Sequence, residues 1–187
     1  MDDNAFISDY LERYRQSLIE TDVSGELIRM KEMLLEVKER GNKVIVSGNG
    51  GSAAIAGHIA VDFTKQAGIR TVNFNEPNLI TCFANDYGYE RVFEKAVEFY
   101  GDSGDLLILI SSSGSSQNVV NAAKRANELK MGVITFSGFN SDNPLGQTGD
   151  INFWVDSKAY NIVEMTHHIW LLALVDYIIG HIEYSAS

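Results

Sequence analysis

Residues 43–63 read KVIVSGNGGSAAIAGHIAVDF. A short β-rich run, KVIVSG, passes through a stretch almost without side-chain bulk and enters AAIAGHIAVDF, whose apolar residues recur at helical spacing. Three of the five residues from Gly48 to Ser52 are glycine, more than one turn requires. Either the backbone turns sharply here or something comes very close to it. The order strand, bare loop, helix matters, because the first N–H groups of a helix have no intrahelical partner and carry the positive end of its dipole. A loop without side chains lets an anion reach them. The stretch matches neither GxGxxG nor the GK[ST] loop, so a plain tight turn and a ligand loop both stay open for Asn49, Gly50, Gly51 and Ser52.

The same alternation continues outward. RTVNFN precedes NLITCFAN, DLLILIS precedes SQNVVNAAKRANELK, GVITFSG precedes a polar turn, and INFWVD precedes a long helix from about Asn161. Strands about thirty residues apart with helices between them predict βαβ units and a parallel sheet covered on both faces. LLILI agrees, since a strand buried on both sides reads as continuously apolar. Before this core, Phe6, Tyr10, Tyr14 and Leu18 recur every four residues, and Leu27, Met30, Met33, Leu34 and Val37 repeat helical spacing. The reading is one α/β domain over 1–187, with a helical segment over 1–40 and a five-stranded parallel core over 41–187.

Composition bounds the partners. The chain has 187 residues and a formal net charge of −10, which argues against nucleic acid, whose phosphates demand a basic surface. A single cysteine, Cys82, excludes an intrachain disulfide and fits a reducing compartment; its apolar run LITCFA predicts an inert buried thiol. The N-terminus MDDNAFISDYLERYRQ has no basic start followed by an apolar stretch, and IWLLALVDYIIG is short and interrupted by Asp176. Neither a secretory signal nor a membrane span is expected, and a cytoplasmic location is.

A second loop has the character of the first. ILISSSGSSQNVV ends an apolar strand and opens a helix, offering Ser111, Ser112, Ser113, Ser115 and Ser116. One serine suffices to cap a helix. Five serines in six positions point to hydroxyls and N–H groups surrounding a phosphate without net positive charge.

Together SGNGGSAA, FANDYGYERVFEKAVE, GDLLILISSSGSSQNVVNAA and GVITFSG resemble the sugar-isomerase (SIS) domain family, and within it the bacterial phosphoheptose isomerases, over almost the whole chain. The resemblance implies a three-layer αβα sandwich, assembled as a homotetramer through the N-terminal helices. It also implies a sugar-phosphate substrate such as sedoheptulose 7-phosphate, interconverted with an aldose through an enediol. By resemblance, Ser111, Ser112, Ser113 and Ser116 hold the phosphate, Asn49 and Ser52 meet the sugar, and Asp86 in ANDYG matches an active-site aspartate.

The family pairs a histidine and a glutamate on the first helix of its core with a glutamine and a histidine on the last, and a zinc ion can join the four. The first pair maps to His58 and Asp62, whose spacing of four places them on one helix face. The second maps to Val163 and Leu171, which neither bind metal nor move protons, so the family zinc site is incomplete. His167 shares their face, lying four residues from each, and is the candidate to restore an imidazole, giving His58, Asp62 and His167 as a candidate metal or proton-handling set. Glu164 is the candidate to orient His167, whereas His168 is expected in an interface or the core. The family arginine near the end of that first core helix aligns with Gln66. Three readings remain open: an isomerase with Asp62 and His58 or His167 handling the proton, a non-catalytic phosphosugar-binding module, and a different sugar-phosphate reaction on the same scaffold.

Overall fold

The computed structural model describes residues 2–183. The chain runs α1 (Asp3–Tyr14), a π-helical turn (Arg15–Ile19), α2 (Ser24–Arg40), β1 (Val44–Gly48), α3 (Gly51–Lys65), β2 (Thr71–Asn73) and α4 (Pro77–Tyr87). It continues through a 3-10 turn (Tyr89–Arg91), α5 (Val92–Tyr100), β3 (Leu106–Ser111), α6 (Gln117–Glu128), β4 (Gly132–Gly138), β5 (Ile151–Val155) and α7 (Tyr160–Ile179). The five strands pair in parallel in the order β2-β1-β3-β4-β5. This is the α/β sheet expected from the spacing of the apolar runs.

Every residue of β1 and β3 is buried, because helices cover both faces of the sheet. One core cluster joins α2, α3 and α7 to the sheet through residues such as Leu34, Ile59, Phe63, Phe136, Phe153 and Leu174. The other joins α5 and α6 to the opposite face through Phe93, Val97, Val119 and Ala123. The sandwich therefore has three layers. The order 2-1-3-4-5 reverses direction between β1 and β3, and ligands of open α/β sheets bind outside the carboxyl ends of the strands at such a point. Both small-residue loops stand there, one following β1 and the other β3.

Two expectations need correction. Cys82 is exposed, not buried: α4 has no buried residue, and the Cys82 thiol faces the Asp86 carboxylate at 3.7 Å. The expectation that no stretch reaches the length of a membrane span is also corrected: IWLLALVDYIIG ends a 20-residue helix, α7, that is long and apolar enough to cross a membrane. Its Val163, His167, Trp170, Leu171 and Leu174 are buried against the sheet, which makes it a core helix.

Candidate active site

Each glycine of the first loop has its own physical reason. A β-carbon on Gly48 would meet the Ser52 side chain at 2.7 Å and the Ile110 carbonyl at 2.8 Å, so β1 could not sit this close to β3 and α3. Gly50 precedes α3 with φ of 55° and ψ of −122°, a conformation that favours glycine. A β-carbon on Gly51 would collide with the Glu164 carboxylate from α7. The loop is thus both a tight turn and a place of close approach, and the group that approaches in this structure is a carboxylate.

In the second loop, Gly114 has φ of 62° and packs on Asn143, which is buried and accepts from the Gly146 N–H at 2.8 Å. Ser116 stands at the N-cap of α6, yet its hydroxyl makes no capping bond; it accepts from the Ser111 hydroxyl at 3.3 Å. A cap side chain turned away from its helix is available to something else.

The two loops enclose one cavity of about 280 Å³, lined by Asn49, Gly50, Gly51, Ser52, Ser111, Ser112, Ser113, Ser116, Tyr160 and Glu164. Of the nine loop residues singled out from the sequence, the structure brings eight together around this space; Ser115 is exposed and does not line it. No lysine or arginine lines it among the described residues, so its anion-attracting capacity resides in helix N-termini and neutral donors. Glu164 accepts a long bond from the Ser112 hydroxyl at 3.4 Å.

From Glu164 a polar row climbs the seam between α7 and α3. Glu164 and His168 are four apart on α7, while Gly51, His58 and Asp62 follow at seven and four on α3. His58 Nε2 lies 3.2 Å from Asp62 Oδ2, and His58 Nδ1 lies 3.0 Å from His168 Nε2. A carboxylate accepts, so His58 donates to it from Nε2; neutral His58 then accepts at Nδ1, and His168 donates from Nε2. Burial lowers the His168 pKa below that of an ordinary histidine, with the neighbouring His58 adding to the effect and Asp62 opposing it.

His167 is not part of this row, which corrects the expectation that it joins His58 and Asp62. It is fully buried, donates from Nε2 to the Ser137 carbonyl at 3.0 Å, and packs edge-on against Phe136. Burial pushes its pKa down to about 4, partly opposed by the Ser137 bond. Val163 and Leu171 share its sheet-facing side and are buried too. The donor set does not fit a zinc ion. Both His58 nitrogens are engaged by Asp62 and His168, and no three His, Cys, Asp or Glu residues stand close enough together to hold a metal among the described residues. Asp86 does not line the cavity either; it sits on α4, accepting from Asn85 at 2.8 Å.

The pattern of the SIS domain matches residues 8–138, more than half of the chain. The chain belongs to the SIS domain family. Within that family it is 32% identical over 171 residues to the phosphoheptose isomerase of Fusobacterium nucleatum, covering 88% of this chain and 87% of the relative. It is 36% identical over 156 residues to that of Aliarcobacter butzleri, covering 80% and 82%. The solved phosphoheptose isomerase of Francisella tularensis superposes with a TM-score of 0.89 at 28% identity, over 96% of this chain and all of that one. These likenesses place the chain among the phosphoheptose isomerases of the SIS family. The SIS match ends before α7, the helix that carries Glu164 and His168.

The sequence reading puts His168 in an interface or the core and Glu164 only beside His167, whereas the structure sets both on the seam with α3. The spacing of four between them was a legible signal; which face of α7 meets α3 was not.

Proposed function

We propose that this chain interconverts sedoheptulose 7-phosphate and the corresponding aldoheptose 7-phosphate, with the phosphoryl group in the serine-lined cavity and the reacting end of the sugar along the α3/α7 seam. The observation that carries this reading is that one α3/α7 seam holds Glu164, bonded to the serine loop, and, one helical turn further along α7, the linked His168, His58 and Asp62. Seven residues of α3 separate Gly51 from His58, about 10 Å along the axis, comparable to the length of an extended seven-carbon chain. The phosphate would then meet Ser111, Ser112, Ser113 and Ser116 with the first N–H groups of α3 and α6, and Asn49 and Ser52 the adjoining part of the sugar. Glu164, at the Gly51 end of the row, would accept hydrogen bonds from sugar hydroxyls next to the phosphate.

At the far end the Asp62–His58 pair moves the proton. It leaves C1 of the ketose, its electron pair forms the C1–C2 double bond of an enediolate, and the C2 carbonyl oxygen takes up a proton. Return of a proton to C2 and loss of the O1 hydroxyl proton then leave the aldose, with overall composition unchanged. Among the described residues the cavity offers the phosphate no lysine or arginine, so its charge falls to neutral donors, of which Asn49 is one. The exposed apolar residues of α1, Phe6, Ile7 and Leu11, support assembly into an oligomer, for which a homotetramer is the reading. A cytoplasmic enzyme fits the single unpaired cysteine.

The test is proton exchange. Added to sedoheptulose 7-phosphate in deuterated water, the protein should exchange the C1 proton and form aldose. Asp62→Asn should abolish exchange while the far-ultraviolet circular dichroism is retained, whereas Glu164→Gln should raise KM more than it lowers kcat. Binding of several ketose phosphates without exchange in any of them would favour the non-catalytic phosphosugar-binding reading.

A further inference from the structure

Asn49 lies in the first loop and lines the cavity, and its amide is held from two sides. Its Nδ2 donates to Asn118 Oδ1 at 2.9 Å, and Asn118 Nδ2 donates back to Asn49 Oδ1 at 2.9 Å, a closed amide pair. The Tyr89 hydroxyl donates to the same Asn49 Oδ1 at 2.9 Å. An amide has two N–H donors and an oxygen with two lone pairs. Both lone pairs of Asn49 Oδ1 are therefore taken, and so is one N–H. One Nδ2–H remains for the cavity.

We propose that Tyr89 and Asn118 are positioning residues that lock the Asn49 amide, so that it offers a ligand one N–H donor and no acceptor. An asparagine side chain left to itself presents either end, because its oxygen and nitrogen are nearly the same size. Locked, Asn49 selects oxygen acceptors: a phosphoryl oxygen or a sugar oxygen beside it. A donor already held in place spends no entropy on turning toward such an oxygen. This assignment of purpose rests on the isomerase reading above, but the lock itself does not.

The fold delivers both partners from a distance in sequence. Asn118 is buried in the first turn of α6, two residues beyond Ser116, so the helix that borders the serine loop also holds the asparagine of the other loop. Tyr89 opens the 3-10 turn directly after Gly88, whose φ of 86° redirects the chain at the end of α4. The ring of Tyr89 is half exposed, so the loss of its hydroxyl leaves the core intact.

Two measurements decide the matter. The side-chain amide protons of Asn49, identified by their disappearance in Asn49→Ala, should shift in ligand-free Tyr89→Phe and in Asn118→Asp; signals unmoved in both variants would overturn the lock whatever the protein does to sugars. With sedoheptulose 7-phosphate as the probe, Tyr89→Phe should lower kcat/KM roughly three- to tenfold, the range of one neutral hydrogen bond, and should do nothing further in an Asn49→Ala background. An equal loss in both backgrounds would mean that Tyr89 acts independently of Asn49 and would overturn the inference. A wild-type protein with no turnover of this sugar would defeat the isomerase reading alone, and the amide signals would still decide the lock.

Discussion

His168 Nε2 lies 3.0 Å from His58 Nδ1, with the two rings edge to face at 83°. This contact joins α7 to α3 and leaves His58 one orientation toward Asp62. His168→Ala should therefore lower kcat for sedoheptulose 7-phosphate by about tenfold with little change in KM, the loss of one positioned hydrogen bond. His168→Gln, whose side-chain amide still donates, should recover much of that loss. Steady-state rates for the two variants check it, and equal defects in both would show that the imidazole itself is needed.

Ser116 separates capping from binding. An N-cap serine that bonds its helix is worth about 1 kcal/mol. Ser116 makes no such bond. Ser116→Ala should leave the urea midpoint essentially unchanged while raising KM several-fold for a phosphorylated sugar, as equilibrium unfolding and kinetics on one preparation will show. Destabilisation without a kinetic effect would make it an ordinary cap.

Gly114 should be intolerant. Alanine there meets both the left-handed backbone and the buried Asn143 side chain, and Asn143 has little room to yield because its amide also donates to the Asn140 carbonyl at 2.8 Å. Gly114→Ala is expected to destabilise the fold by about 2–4 kcal/mol and to lose phosphate binding with it. Ser115→Ala, next door and exposed, is the control and should alter neither; thermal unfolding of the pair measures the difference.

His167 makes stability depend on acid. Its pKa is lowered from 6.5 in the unfolded chain to about 4 in the fold, mainly by burial. Between these values the unfolded chain binds a proton that the folded chain does not, so stability falls as pH falls through that window. The loss should approach 3 kcal/mol below about pH 4, on the order of 1.4 kcal/mol per pH unit. Urea unfolding from pH 7 to pH 4 should show this slope, and His167→Leu should flatten it.

The first helix carries a prediction about assembly. Phe6, Ile7 and Leu11 are each more than half exposed, and α1 buries no residue within its own chain. Leu11→Glu should reduce the sedimenting mass at micromolar concentration without loss of helical dichroism. An unchanged mass would place the interface elsewhere.

Much of this molecule is legible in one dimension. The parallel sheet follows from apolar runs such as LLILI, because burial on both faces leaves a strand no polar side to show. The two cavity-lining loops follow from their small residues, because a backbone that others must approach cannot carry bulk. Asn49's locking partners were not legible, since nothing in the sequence links Tyr89 and Asn118 to a loop some forty and seventy residues away.

The last helix marks the boundary most clearly. Its composition names a glutamate and two adjacent histidines, but one residue along a helix is a rotation of about 100°, enough to exchange core for seam. Packing turned Val163, His167 and Leu171 to the sheet and Glu164 and His168 toward α3. The sequence alone determined the sheet, its order of elements and its two bare loops, because these depend on local composition. Which imidazole meets His58 was decided only when α7 settled against the sheet, because burying its most apolar face sets the rotation of every other side chain.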